Sequence, residues 1–173
     1  MVKKHKIQII LPKKNIALNA INKSDLESLR KWKNINREFF FYKKVITRSE
    51  QREWYNKYTS TEDDYIFMVT LNGIKIGCMG YRKNNGLIDI YNVMLGKNEF
   101  ARKGLMGRAL RMLCSYLYDN IGGDITTKVI YDNQAKLWYR KNGFKEINTI
   151  EDYLLLKLDI NNFNYLKYNL KID

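Results

Sequence analysis

The stretch 87-LIDIYNVMLGKNEFARKGLMGRALRMLCSYLY-118 decides the fold. Its pattern predicts a strand over residues 87–95, a basic turn, and an amphipathic helix that ends near Tyr118. The first N–H groups of a helix have no internal acceptor, and the helix dipole makes that end positive. Glycines let a ligand approach the backbone closely. The turn offers two glycines and two cations: Gly104, Gly107, Arg102 and Lys103. The segment predicts an anion-binding turn; the alternative is a plain strand–turn–helix whose glycines serve only the turn.

The length and the composition of the chain favour one globular domain. At 173 residues with 45% hydrophobic residues, the chain is long enough to bury a full core without disulfides or metals. No segment has the apolar length that spans a bilayer, and the apolar run 7–11 is shorter than the core of a signal peptide. We therefore expect a cytoplasmic protein without a membrane partner.

Reactive residues are few, which excludes two large enzyme classes. Cys78 and Cys114 have no metal-ligand spacing, and His5 is the single histidine. Zinc sites and histidine-based triads are therefore not expected, and no metal is predicted. The formal charge of +13 attracts polyanions, but the sequence contains no motif of a known nucleic-acid module, which argues against a nucleic-acid partner.

Along the chain, the patterns predict a mixed α/β fold around one sheet. The order is a strand, two helices, three antiparallel strands, a helix, a strand, a helix and two strands. Ser24 with Glu27 predicts a capping box for the first helix, and Thr47 or Ser49 predicts the cap of the second. The predicted strands are 16–21, 65–71, 74–81, 87–95, 125–131, 144–150 and 153–158; the predicted helices start near residues 24, 49, 103 and 132.

An aromatic run, Phe39 to Tyr42, lies between the first two predicted helices. It is either part of the core, as a helix extension, or the lining of an acceptor pocket. The second interpretation makes Phe40 and Tyr42 substrate-binding residues.

Residues 101–106, Ala-Arg-Lys-Gly-Leu-Met, resemble the phosphate-binding motif Gln/Arg-x-x-Gly-x-Gly/Ala of the GNAT superfamily of acetyl-CoA-dependent N-acetyltransferases. Ala101 stands where the family has Gln or Arg, and Met106 where it has Gly or Ala. Residues 132–144 are similar to a second family motif, Asn-x-x-Ala-x-x-x-Tyr-x-x-x-Gly-Phe. Strict spacing puts Asp132 at its first position, whereas we expect Asn133 to contact the cofactor.

The resemblance covers residues 16–158 and implies one GNAT-like domain. Its expected architecture is a mixed, mostly antiparallel sheet with helices on both faces and splayed fourth and fifth strands. Residues 1–15 are then a basic extension. Residues 159–173 are a tail that adds a strand or reaches a second subunit of a homodimer.

The resemblance also implies acetyl-CoA as the cofactor. Its pyrophosphate is expected at the turn and its pantetheine arm beside the third predicted meander strand, and Tyr139 is expected to protonate or hold the leaving sulfur. The predicted cofactor-binding residues are Val93, Leu95, Arg102, Lys103, Gly104, Leu105, Met106, Gly107, Arg108 and Asn133.

A base for the attacking amine is predicted from the strand itself. Asp89 lies on the strand that leads to the turn, and Tyr91 shares its face because side chains alternate along a strand. Asp89 is a candidate base because an alkyl ammonium has a pKa well above 7. The alternative is a solvated strand residue.

The N-terminal half narrows the expected acceptor. Residues 29–34 and 51–54 resemble the amino-sugar N-acetyltransferases, which act on nucleotide carriers, and they make Trp32 a predicted substrate contact. The same half also resembles the Rim-type acetyltransferases of ribosomal-protein N-termini. A nucleotide-linked amino sugar is the favoured acceptor, with N-terminal acetylation of a ribosomal protein as the alternative. A non-catalytic, basic RNA- or ribosome-associated module is the third interpretation.

Overall fold

The computed structural model describes residue 4 and residues 6–173, so His5 lies outside the described residues. These form one nine-stranded sheet and four α-helices. The strands are β1 Ile7–Leu11, β2 Ile16–Ala20, β3 Asp64–Leu71, β4 Ile74–Asn84, β5 Leu87–Leu95, β6 Asp124–Ile130, β7 Phe144–Ile150, β8 Tyr153–Leu158 and β9 Asn169–Ile172. The helices are α1 Leu26–Ile35, α2 Arg48–Thr59, α3 Leu105–Asn120 and α4 Ala135–Lys141.

The sheet order is β7-β8-β6-β5-β4-β3-β2-β1-β9. Among the described strands only β5 and β6 pair in parallel, and α3 makes the crossover between them. Their register runs from Leu87 opposite Asp124 to Ile90 opposite Thr127 and then stops, although both strands continue. The mixed, mostly antiparallel sheet and its splayed central pair confirm the predicted architecture.

The helices cover both faces of the sheet, so β3 is buried on both of its faces. Ile66 and Met68 pack in a cluster with Leu29 of α1 and Tyr58 of α2. Phe67, on the opposite face, belongs to the main core, which includes most of α3. This double burial explains why β3 and β4 are apolar without alternation.

Both chain ends add strands beyond the predicted domain. Ile7–Leu11, which we expected within a basic extension, forms β1 and pairs with β2 and β9. Asn169–Ile172 is the extra strand predicted for the tail. Ile7 and Ile9 are buried, so the alternating apolar side chains of this short run face the core.

The observed first residues of the helices differ from two of the predictions. The capping box at Ser24 is wrong, because Ser24 donates its own N–H and hydroxyl to the Asn22 side chain and Asn22 caps a short 3-10 helix before α1. Helix α3 starts at Leu105 rather than near residue 103, because Gly104 has a φ of 70°. The Thr47 cap of α2 is confirmed by its reciprocal bonds with Glu50.

None of the helices in the described part of the chain combines the length and the apolar character needed to cross a membrane.

Candidate active site

The turn before α3 exposes a row of backbone donors. Two left-handed residues on either side of Lys103 shape it: Arg102 has a φ of 59° and Gly104 a φ of 70°. The first helical hydrogen bond of α3 is donated by the Arg108 N–H to the Gly104 carbonyl at 3.1 Å. Within the described residues, the six N–H groups from Arg102 to Gly107 have no acceptor. Six free donors at a helix N-terminus fit an anion.

Two glycines let neighbouring elements close on this turn. A Cβ at Gly107 would lie 2.9 Å from the Asn142 side-chain oxygen, so α4 packs directly against the first turn of α3. A Cβ at Gly77 of β4 would lie 3.0 Å from the Met106 sulfur. The Met106 side chain therefore packs over Gly77, which explains how the chain accommodates Met where the family motif has a small residue.

A cleft of about 1010 Å³ opens where β5 and β6 diverge. Side chains and backbone from β5, β6, α1, α2, α4 and the 36–46 segment line it. Eight residues predicted for the site lie in this lining: Tyr139, Asp89, Tyr91, Val93, Leu95, Asn133, Phe40 and Tyr42. The turn residues Arg102 to Arg108 and Trp32 are outside it.

Tyr139 lies at the point of divergence. It is 6% exposed, and its ring makes edge contacts with Trp138 and Phe144 at centroid distances of 5.0 and 5.4 Å. Burial raises its pKa well above the usual value, which a hydrogen bond with Thr127 partly offsets. Thr127 in turn donates to the Ile90 carbonyl at 2.9 Å. The Tyr139 phenol is therefore protonated at neutral pH beside the last paired residues of β5 and β6.

A bulge bends β5 at the same level. Cys78 opposes Met94 but Gly80 opposes Tyr91, so β5 carries one extra residue, and Asn92 has a φ of 52°. Bulges re-aim side chains and break ladder pairing. Beyond Ile90, β5 has no strand partner on its β6 side, so backbone near Val93 faces the cleft.

Asp89 and Tyr91 lie on the cleft side of β5. Burial raises the pKa of the Asp89 carboxyl, against the effects of Lys128 and Arg82. The Tyr91 hydroxyl donates a very short hydrogen bond to the Asp64 carboxylate, and its ring lies 3.7 Å below the Arg82 guanidinium. Asp89 is thus free to act on a ligand, whereas the Tyr91 hydroxyl is already engaged.

The aromatic run begins at the end of a short 3-10 helix, Arg37–Phe39, and crosses the cleft, with Phe40 packed against the cluster that contains Leu29 and Tyr58. Phe39, Phe41 and Tyr42 are about half exposed. The Phe39 carbonyl accepts from Asn133 at 3.3 Å, and the Phe41 ring contacts Tyr153 of β8 at 5.8 Å. The segment therefore reaches from α1 across the splay, which supports the pocket interpretation of the run.

Trp32 is not brought to the cleft. It is buried, and a Cβ at Gly96 would lie 2.1 Å from its ring, so it packs flat beneath the end of β5. Its predicted substrate contact stays a prediction, and in this structure the neighbouring Lys33 lines the cleft instead.

The motif residue Asn133 lies at the start of α4. Its side-chain oxygen accepts the Ala135 N–H at 2.9 Å, and its amide reaches Phe39. It therefore ties α4 to the aromatic segment, while Asp132 is absent from the lining of the cleft.

Sequence patterns missed several polar residues in the cleft, among them Lys33, Arg82, Asn92 and Thr127. Lys33 donates to the Asn92 side chain at 2.8 Å and lies 3.3 Å from the Phe40 ring centroid. Burial lowers its pKa to about 8. The sequence signal that could have identified Lys33 was its position next to Trp32. Because Trp32 is buried, its neighbour on the helix faces the cleft.

The sequence and the fold both match known proteins. A family model described as an acetyltransferase (GNAT) domain matches residues 15–145. No curated protein sequence matches the chain.

Solved structures with the same fold are distant in sequence. The aminoglycoside acetyltransferase AAC(6')-Ib in complex with ribostamycin and coenzyme A has a TM-score of 0.74 at 19% identity, covering 85% of this chain and 94% of its own. FdhC, described as a nucleotide-linked sugar GNAT, has a TM-score of 0.71 at 17% identity, with coverages of 86% and 89%. The N-acetyltransferase PseH of Campylobacter jejuni has a TM-score of 0.66 at 17% identity, with coverages of 84% and 99%.

Proposed function

The chain belongs to the GNAT acetyltransferase family and is an acetyl-CoA-dependent N-acetyltransferase; from this premise we propose that it acetylates the primary amine of a nucleotide-linked amino sugar. The observation that carries the proposal is the cleft at the β5–β6 divergence, where Tyr139 faces a large pocket of mixed aromatic and cationic character.

The residues at the turn fit the pyrophosphate of the cofactor. Six backbone N–H groups, from Arg102 to Gly107, are free to donate to phosphate oxygens, and Gly104 and Gly107 leave the approach open. Lys103 and Arg108 add positive charge beside them. When bound, acetyl-CoA supplies the activated acetyl group as a thioester.

The backbone of β5 beyond Ile90 would hold the pantetheine arm. Its N–H and C=O groups on the β6 side have no strand partner, so an extended arm can pair there as a strand would. Val93 and Leu95 lie on this stretch and line the cleft. This position brings the end of the arm towards Tyr139 and Thr127.

Tyr139 acts as the proton donor to the departing sulfur. Burial keeps its phenol protonated at neutral pH, and Thr127 orients its hydroxyl. A group held in its protonated form inside the cleft is suited to general acid work.

Asp89 acts as the base for the acceptor amine, directly or through a water. Its carboxyl is partly buried in the cleft, and the raised pKa strengthens it as a proton acceptor. Lys128 and Arg82 act against the effect of burial on this carboxyl.

The size and the lining of the cleft support a nucleotide-linked acceptor. A volume of about 1010 Å³ lies at the upper end of the range for small-molecule sites, which leaves room for an acceptor beside the pantetheine arm. Half-exposed aromatic rings such as Phe41 and Tyr42 offer stacking surfaces for a base. The cations Lys33, Arg82 and Lys128 suit a diphosphate, while the carboxylates Glu50, Glu53 and Asp89 also line the cleft and suit an amine.

An acceptor panel tests this proposal. Purified protein is incubated with acetyl-CoA and, separately, UDP-glucosamine, ribostamycin or a ribosomal-protein N-terminal peptide, and free thiol is measured. We expect thiol release with UDP-glucosamine, together with a product 42 Da heavier. Release with the peptide alone would replace the sugar acceptor by N-terminal acetylation, and release with ribostamycin alone would contradict the electrostatic argument.

A further inference from the structure

Lys33 is a half-buried cation in the cleft that pairs with no carboxylate among the described residues. Its Nζ donates to the Asn92 side-chain oxygen at 2.8 Å and packs over the Phe40 ring at 3.3 Å. Within the described part of the chain it forms no ion pair with a carboxylate. Both of its contacts are neutral, and an ammonium has three N–H donors, so donor capacity remains. Taking such a charge out of water costs free energy unless a counter-charge or further hydrogen bonds, such as those of a bound ligand, compensate it.

A second cation lies near enough to repel it. Arg82 lies opposite Asp89 on the neighbouring strand, and its positive charge acts on Lys33. The Asp64 carboxylate lies 3.6 Å from Arg82 but is shared with the Tyr91 hydroxyl. The charged and titratable groups that shift the pKa of Lys33 are Arg82 and the buried Cys78 thiol. The carboxylates of Asp89, Glu50 and Glu53 line the same cleft, but among the described residues none of them forms an ion pair with Lys33.

Asn92 provides a third donor. Because Lys33 can only donate, the Asn92 oxygen must face it, which leaves the Asn92 amide N–H₂ group directed elsewhere in the cleft. That amide has no partner among the described residues. Asn92 lies at the bulge with a φ of 52°, and its side-chain oxygen is held by Lys33.

We infer that Lys33, Arg82 and Asn92 form an anion subsite that binds a phosphate or carboxylate group carried by the acceptor. This inference rests on the proposed function and deepens it, because it requires an acceptor with a negative charge near the β5 bulge. Burial lowers the pKa of Lys33 to about 8, and an anion raises it again, so binding near pH 8 takes up a proton.

Calorimetric titration of the coenzyme A-saturated protein tests the subsite. The cofactor occupies the turn, so the probes report on the cleft. They are glucosamine 1-phosphate, neutral glucosamine and inorganic phosphate, titrated at pH 8 in two buffers of different ionisation heat. We expect the sugar phosphate to bind about 10- to 100-fold more tightly than glucosamine, as for one or two charge-assisted hydrogen bonds. Inorganic phosphate alone binding as tightly would assign the subsite to a free anion and overturn the role in acceptor binding.

Three variants separate charge from structure. Lys33→Met removes the preference for the phosphate and the proton uptake. Lys33→Arg keeps the preference but takes up no proton, since a guanidinium is always charged. Lys31→Met, on the same helix but exposed and paired with Glu27, behaves as the wild type. Equal binding of glucosamine and its phosphate by the wild type, or a preference that survives Lys33→Met, would overturn the inference.

Failure of the proposed function is detected separately. Coenzyme A binding and thiol release are measured on the same preparations. An anion preference that depends on Lys33 without thiol release would retain the subsite and reject the acceptor class. Thiol release from a neutral amine without any effect of Lys33→Met would reject the subsite and retain the acetyltransferase.

Discussion

Removing the Tyr139 hydroxyl should slow acetyl transfer while leaving the fold intact. Tyr139→Phe keeps the ring and therefore its edge contacts with Trp138 and Phe144. It loses the hydroxyl and the hydrogen bond with Thr127. One hydrogen bond contributes about 1 kcal/mol to stability, whereas a positioned general acid contributes about 10²- to 10⁴-fold to rate.

The two effects are separated by two assays on one preparation. Steady-state thiol release measures kcat, and urea unfolding measures the free energy of unfolding. We expect kcat to fall by about 10²- to 10⁴-fold, with the affinity for acetyl-CoA within about twofold and a stability loss near 1 kcal/mol. Trp138→Phe, which changes the neighbouring ring of the same helix, is the matched control. A Tyr139→Phe variant that binds acetyl-CoA and keeps more than half of the wild-type kcat refutes the assignment.

Three further predictions concern stability. Thr47→Ala should cost about 1 kcal/mol in urea unfolding because it removes a side-chain cap, and Ser49→Ala should cost clearly less; equal losses would contradict the observed cap. Gly96→Ala should cost about 1–3 kcal/mol because its Cβ overlaps the Trp32 ring, with a change in tryptophan fluorescence; an unchanged midpoint would contradict that packing. Burial holds the Lys33 pKa at about 8, below the unfolded value of 10.5, so the folded state releases this proton first and stability rises between these pH values. Relative to Lys33→Met, the wild type should gain about 2 kcal/mol from pH 8 to 10, and parallel curves for the two proteins would refute the desolvated charge.

The sheet could be predicted where turns bound the strands sharply. The predicted bounds of β5, β7 and β8 equal the observed ones. The hairpin of β3 and β4 follows from Asn72-Gly73, whose residues both have positive φ. In contrast, β1 has only five residues between lysine-rich flanks and is stabilised by β9, more than 150 residues away along the chain. Local patterns carry no signal for such a pairing.

Part of the site was predictable from motif positions, and part from strand alternation and the aromatic run. The spacing to Gly143 and Phe144 identified Tyr139, and the structure buries that residue in the cleft. The bulge at Asn92 follows from a register shift that involves β4, so the sequence of β5 does not reveal it. Lys33 was not predicted because the family resemblance indicated its neighbour Trp32 as the substrate contact. The roles of the turn residues, Asp89 and Asn133 stay predictions.

Acetyl-CoA binding to the native protein tests the central claim most directly. A ligand that binds only the folded state adds about 2.7 kcal/mol at 100 times its Kd. For a chain of this length that corresponds to a rise in Tm of about 5–10 °C, measured by scanning calorimetry. We expect this rise with acetyl-CoA and with coenzyme A, because both carry the pyrophosphate and the pantetheine arm. An unchanged Tm at millimolar concentrations of both would contradict it.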